Sequence, residues 1–199
     1  MAEESMVKID PKGNLILEAL TDESKIKKFR VCSRALRRQS PVWERMLFGP
    51  WKESKPTDKK EWVVQLLDDP AHPLEIVLSI IHGKFDGVPP SPSLQTIHQL
   101  VVMANKYDIT SIARPWCTNW LHVASNSNLP PTDVVKSLYV AWELGDEHLF
   151  ALRLEEISLN TEIDSTGRLI YAKTIVLETE DFLGPLNALG KFRVRLTIK

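Results

Sequence analysis

The sequence has few of the features that mark secreted, membrane-spanning or disulfide-stabilised proteins. Its 199 residues include two cysteines, Cys32 and Cys117, and neither forms a C-x-x-C pair. We expect both to be reduced, buried thiols, and nothing in the sequence requires a disulfide. The N-terminal residues MAEESMVKID contain no apolar signal core, and no run approaches the roughly 20 apolar residues of a membrane helix. These absences, together with the lack of an N-x-S/T glycosylation site, predict an intracellular protein, cytoplasmic or nuclear, with no membrane partner.

An excess of either charge is also missing. Twenty-five Lys and Arg residues balance 26 Asp and Glu residues, so the net charge is -1. Nucleic-acid-binding domains usually carry a basic surplus or a basic stripe. The cluster formed by Arg34, Arg37 and Arg38 is short, and we interpret it as the solvent-exposed face of a helix rather than a phosphate site. The sequence therefore predicts no nucleic-acid partner.

The common motifs of catalysis and metal binding do not occur. None of the five histidines forms H-x-x-x-H or H-E-x-x-H, and Cys117 and His122 are five residues apart, which does not place them on one helix face. No G-x-S-x-G elbow surrounds Ser33 or Ser40, and neither a P-loop nor a G-x-G-x-x-G motif is found. The sequence predicts no catalytic residue, no cofactor and no metal.

Two further groups have a structural interpretation that outweighs a chemical one. Adjacent carboxylates at Asp68 and Asp69 could act in acid–base catalysis, but they precede a proline at a strand-to-helix junction, where a turn and an N-cap are the expected roles. Tyr107, Trp116 and Trp120 could stack on nucleic-acid bases, but no basic residues accumulate around them, so core packing is expected. The two tryptophans lie one helical turn apart and should pack on the same face.

Alternation of apolar residues predicts several strands. A strand over residues 13–20 and another over residues 26–32 are separated by a charged turn and should form a hairpin. Residues 61–67 predict a third strand, and residues 167–177 have a strand-like pattern.

Helical periodicity accounts for most of the remaining chain. The predicted helices cover residues 34–38, 41–48, 73–82, 94–107, 111–123, 133–144 and 147–159. The predicted N-caps are Ser33, Ser40, Ser93 and Thr132, with Pro41 at the first helical position after Ser40. Residues 126–131, with the sequence NSNLPP, are the best linker candidate. Residues 183–199 fit either a helix or a strand.

Three segments carry a family resemblance. They are FRVCSRALRRQSPVWERMLFGPWKES at residues 29–54, WVVQLLDDPAHPLEIVLSIIHGKFDGVP at residues 62–89, and LVVMANKYDITSIARPWCTNWL at residues 100–121. In this order they resemble the BTB (POZ) domain, over about residues 7–123. The stretches IIHGKFDGVP and ARPWCTNWL, and AWELGDEHLF at residues 141–150, are most similar to the BTB proteins of filamentous fungi. Trp43 replaces the usual Phe or Tyr of this family, and Asn105 the usual Asp.

The resemblance implies an α+β fold of the BTB/POZ type, in which a small sheet is flanked by a cluster of short helices. It implies a BTB domain over residues 1–123 and a mainly helical C-terminal extension over residues 124–199. The sequence stops without a turn or cap signal, and we expect it to be a piece of a longer chain. The resemblance also implies protein partners, self-association through the first strand and the helices at residues 33–47, and no catalysis.

Many BTB domains recruit a cullin-type ubiquitin ligase scaffold through a hydrophobic-x-Glu motif, which Trp51-Lys52-Glu53 matches. An exposed Trp51 would supply a large apolar anchor, and the Glu53 carboxylate would fix the orientation by a charge-assisted hydrogen bond. The alternative for Trp51 is that it covers the edge of the core. Three hypotheses follow: an interaction and oligomerisation module, a substrate adaptor for a cullin ligase, and a small enzyme, for which no motif speaks.

Overall fold

The computed structural model describes residues 6–57 and 61–180. They form a mixed α+β structure, so the predicted fold class is confirmed at that level. The segment at residues 183–199, for which both a helix and a strand were predicted, lies outside the described residues.

Contacts divide the described chain into two compact units. The first contains the described residues up to Pro90 together with Val102–Ala113, and the second contains Ser91–Val101 together with the described residues from Arg114 onward. A single helix, Leu94–Lys106, begins in the second unit and ends in the first. The predicted division between residues 123 and 124 stays a prediction.

The first unit is built on a four-stranded sheet with the order β1-β3-β2-β4. Its strands are β1 (Met6–Lys8), β2 (Leu15–Leu20), β3 (Ile26–Val31) and β4 (Val63–Pro70). β2 and β3 pair antiparallel, with Leu15 opposite Val31 and Leu20 opposite Ile26, which confirms the predicted hairpin. β1 runs parallel to β3 and β4 runs parallel to β2. Because β2 is buried between two strands, it offers no free edge for the dimer contact that we predicted there.

Three helices and the end of a fourth belong to the same unit. They are α1 (Ser33–Gln39), α2 (Pro41–Phe48), α3 (Ala71–Ile81) and the last residues of α4 (Leu94–Lys106). A 3-10 turn at Phe85–Gly87 precedes α4, and a 3-10 segment at Thr110–Trp116 follows it and ends in the second unit. The buried core includes Leu17, Phe29, Leu36, Trp43, Leu47, Leu74 and Leu78. α3 is buried over most of its length, and its buried residues include Leu74, Val77 and Leu78, whose helical spacing predicted this helix.

The helix caps in this unit agree with the sequence at Ser40 and differ at Ser33. The Ser40 hydroxyl accepts a hydrogen bond from the Trp43 amide at 2.9 Å, which confirms its capping role before Pro41. The prediction for Ser33 was wrong, since Ser33 is itself the first residue of α1. Its amide instead donates to the Asn14 side chain at 3.0 Å, so a residue near the start of the hairpin satisfies a donor that a cap would normally serve.

The predicted turn and cap at Asp68 and Asp69 were also wrong. β4 continues through both residues to Pro70, and α3 then starts without a side-chain cap. The Asp69 carboxylate is buried and accepts hydrogen bonds from the Lys106 ammonium at 2.7 Å and from the Tyr107 hydroxyl. The sequence could not show this, because the two donors follow Asp69 by more than 35 positions.

The second unit contains α5 (Cys117–Ala124), α6 (Pro131–Leu144), α7 (Glu147–Leu159) and a sheet of three short antiparallel strands, β5 (Thr161–Ile163), β6 (Leu169–Tyr171) and β7 (Ile175–Val176), followed by a 3-10 turn at Leu177–Thr179. α6 starts after Pro130 without a side-chain cap, so the cap predicted at Thr132 was wrong. The cap predicted at Ser93 is confirmed, since its hydroxyl accepts from the Thr96 amide at 3.2 Å.

Buried side chains of the second unit agree with the expected packing of the aromatic residues. The rings of Trp116 and Trp120 stack with centroids 6.2 Å apart, and Trp120 is buried. In the first unit, Tyr107 is buried against Trp43, with centroids 4.5 Å apart. Core packing is therefore the role of Tyr107 and Trp120, whereas Trp116 is only half-buried. Cys32 and Cys117 are both free thiols, half-buried rather than fully buried as predicted.

Candidate functional site

The two residues singled out for partner binding lie in the turn that follows α2. The hydroxyl of Ser54 donates to the Gly49 carbonyl, and the Ser54 amide donates to the Trp51 carbonyl at 3.1 Å. A side chain at Gly49 would lie 2.3 Å from the Arg45 carbonyl and 3.1 Å from the Trp51 ring. The turn therefore requires glycine at this position, and the Trp51 indole lies directly over it.

Trp51 is more exposed than any other large apolar side chain in the described part of the chain, at 61%. Its ring borders a shallow groove of about 380 Å³ that Val42, Arg45, Met46 and Glu53 also line. Large aromatic side chains left in water beside an apolar groove are typical of protein interaction sites. The alternative that Trp51 covers the core edge does not hold, because most of its surface is in solvent.

Glu53 is half-buried, and its backbone is fixed independently of its side chain. Its carbonyl accepts a hydrogen bond from the Trp62 indole at 2.8 Å, whereas its carboxylate lies 3.7 Å from the ammonium of the exposed Lys52. A second groove, of about 320 Å³, extends from Lys52 and Glu53 along the start of β4. Glu53 thus lines both grooves, and its carboxylate is the group that can accept hydrogen bonds from a bound chain.

The apolar surface continues from Trp51 toward the end of α2. Phe48 is partly exposed and meets the buried Trp62 ring edge to face, with centroids 6.0 Å apart. The Arg37 guanidinium lies 4.9 Å from the Phe48 centroid and forms a 2.8 Å ion pair with Glu44. Arg37 belongs to the basic cluster, which is solvent-exposed as predicted. Its partners are an aromatic ring and a carboxylate of the same surface.

Sequence reasoning found Trp51 and Glu53 but did not identify the walls of the groove. It placed Val42, Trp43, Met46 and Leu47 together on α2, and the structure separates them into two neighbouring rows. Trp43 and Leu47 are buried, whereas Val42 and Met46 are half-exposed on the groove side. The signal was present in the spacing, because residues four apart share a helix face. Which row faces the core depends on the sheet and cannot be read from α2 alone.

Residues 6–57 and 61–180 contain neither a metal-binding cluster nor a membrane-spanning helix. No group of three His, Cys, Asp or Glu side chains there could hold a metal ion. No helix in those ranges combines the length and the apolar character needed to cross a bilayer.

Known proteins give no independent assignment of this surface. No protein-family model matches the chain, and a search of curated proteins yields no match.

Proposed function

We propose that this chain is a non-enzymatic protein–protein interaction and oligomerisation module of the BTB type. The observation that carries the proposal is the exposed Trp51 indole beside an apolar groove, with the Glu53 carboxylate at its margin. The three motif segments that resemble the BTB domain supply the family assignment.

The energetic reason for a partner lies in the surface of Trp51. A tryptophan side chain buries roughly 150–250 Å² when it is fully enclosed. Because 61% of this surface is in water, enclosing the exposed part in a complex would remove on the order of 100 Å² of mostly apolar surface from solvent. At roughly 25 cal/mol per Å², that burial contributes about 2–3 kcal/mol to a complex.

Self-association is tested by the mass of the protein in solution. Because β2 has no free edge, we assign the contact to the exposed surfaces of α1 and α2, which include Val42, Met46 and Phe48. Sedimentation equilibrium across the micromolar range should show a dimer, and Val42→Glu with Met46→Glu should convert it to a monomer. A strictly monomeric wild type that also retains no partner from the native cell would remove the proposal.

The second candidate is a substrate adaptor that binds a cullin-type scaffold through Trp51-Lys52-Glu53. Trp51→Ala should weaken retention of a cullin N-terminal domain by about 30- to 150-fold, the equivalent of about 2–3 kcal/mol. Glu53→Ala should weaken it by about tenfold through loss of a charge-assisted hydrogen bond. The Trp62 bond to the Glu53 carbonyl survives this substitution, so the turn is kept.

Phe85 provides a matched control for Trp51. It is an exposed aromatic residue of the same unit, at 59%, and it lies outside the groove. Phe85→Ala should leave cullin retention unchanged. Equal retention of Trp51→Ala and wild type, or no retention of the wild type, would exclude the adaptor function.

A further inference from the structure

The apolar stripe of α6 extends beyond the core of the second unit. Val135, Leu138 and Tyr139 are buried, and Trp142 continues the same stripe at helical spacing. At this residue the stripe is no longer covered by the core, and 49% of the Trp142 side chain is exposed to solvent. A fully packed helix end would have covered it.

Trp142 forms one wall of a groove at the corner between α6 and α7. Gly145 ends α6 in the left-handed region, with φ of 79°, and Asp146 caps α7 by accepting from the Leu149 amide at 2.9 Å. The Phe150 ring lies opposite Trp142, with centroids 5.4 Å apart and planes inclined by 50°. The groove has a volume of about 220 Å³ and is lined by Ala141, Trp142, Gly145, Asp146, Glu147 and Phe150.

The rim of this groove is acidic. Neither Asp146 nor Glu147 forms an ion pair with a cation in residues 6–57 and 61–180. Two carboxylates therefore border an aromatic surface, which favours a positively charged partner.

We infer that this groove docks a partner protein through a short segment in which a Lys or Arg stands beside a large apolar residue. The cation would lie on the Trp142 face, where the ring quadrupole attracts it, and would pair with the carboxylates of Asp146 and Glu147. The apolar neighbour would enter the groove against Phe150. The volume is below the roughly 300–1,000 Å³ of small-molecule pockets, so it suits side chains rather than a cofactor.

The test uses the full chain and an immobilised library of short degenerate peptides. We expect retained peptides to be enriched in Lys or Arg next to Leu, Met or Phe, and retention to fall as salt screens the ion pairs. Trp142→Ala should lower retention by about tenfold or more. Asp146→Asn with Glu147→Gln should lower it several-fold, and the asparagine preserves the cap of α7.

Two controls separate this groove from other surfaces. Leu152→Ala removes an equally exposed apolar side chain of α7, at 47%, and should not change retention. Trp51→Ala should not change it either, so failure of the function proposed above and failure of this docking site give different results. Enrichment of acidic or uncharged peptides, or equal retention by Trp142→Ala and wild type, would overturn the inference.

Discussion

Replacing Arg153 by methionine probes the most extensive hydrogen-bond network of the second unit among the described residues. Arg153 lies on α7, and its side chain is only 2% exposed. Its guanidinium donates to the Ser137 hydroxyl at 3.0 Å, to the Ala124 carbonyl at 3.2 Å and to the Asn126 carbonyl at 2.5 Å. It also forms a 2.7 Å ion pair with Glu156. One side chain thus fastens the end of α5 and the start of the NSNLPP segment to α6 and α7.

The expected loss follows from these contacts. Methionine preserves much of the apolar volume but none of the donors, and each hydrogen bond from a charged group contributes about 1.5–3 kcal/mol. The Ala124 carbonyl keeps a hydrogen bond from the Ser137 hydroxyl at 2.7 Å, and Glu156 is about a third exposed to water. Neither group therefore pays the full cost of a buried polar group without a partner. We expect Arg153→Met to lower the free energy of unfolding of this unit by about 3 kcal/mol. Arg153→Lys keeps the charge but loses the planar fork, and should cost about half as much.

Hydrogen exchange read by mass spectrometry reports this loss locally, which matters because a chain of two units need not unfold in one step. Protection of α6 amides should fall by roughly 150-fold in Arg153→Met, the equivalent of about 3 kcal/mol. Arg114→Met, a substitution of an exposed arginine in the same unit, should stay within about 0.5 kcal/mol of wild type. A loss below about 1 kcal/mol for Arg153→Met, or an equal loss for lysine and methionine, would refute the role of the fork.

Two further predictions concern pH. Burial, followed by the Lys136 ammonium, lowers the pKa of His98 to about 4. Because the unfolded chain binds this proton more tightly, the free energy of unfolding should fall by up to about 3 kcal/mol as the pH drops from about 6.5 to about 4. Denaturation curves of His98→Gln should lack this part of the pH dependence. Burial, followed by the Asp69 carboxylate, raises the pKa of Tyr107 well above its usual range. The stability that the Tyr107 hydroxyl contributes is therefore fully present below about pH 10 and is lost progressively above it. The difference in free energy of unfolding between wild type and Tyr107→Phe should be about 1–2 kcal/mol at about pH 8 and smaller at about pH 11. A difference in stability between wild type and His98→Gln, or between wild type and Tyr107→Phe, that did not change with pH would contradict the assignment of that residue.

Local signals in the sequence predicted the elements whose cause is local. The β2–β3 hairpin follows from alternation around a charged turn, and the start of α2 follows from Ser40-Pro41, whose cap and fixed φ act within one turn. The end predicted for the helix at residues 133–144 agrees with α6, which stops at Leu144 before the glycine at position 145. These features need no knowledge of the rest of the chain.

Two of the failures occurred where a distant partner decides the outcome. β1 forms by pairing with β3 at residues 28–30, and nothing in its three residues indicates a strand. Asp69 was assigned to a cap because only its local neighbours, including Pro70, could be read from the sequence. Its actual hydrogen-bond donors, Lys106 and Tyr107, belong to another part of the chain. For the candidate sites, the resemblance to the BTB family identified Trp51 and Glu53, but only packing showed that Trp142, on an ordinary apolar stripe, is left in solvent.

The path of α4 has a consequence for synthesis on the ribosome. The chain leaves the first unit after Pro90 and supplies its last piece only with Val102–Ala113. At about 5–20 residues per second, Asp69 emerges some seconds before Lys106 and Tyr107 can meet its carboxylate. The nascent first unit must therefore wait in an incomplete form, and no fragment that stops at Pro90 contains all of it. A contiguous fragment that includes the whole first unit has to extend to Ala113, and it then carries residues 91–101 of the second unit as well.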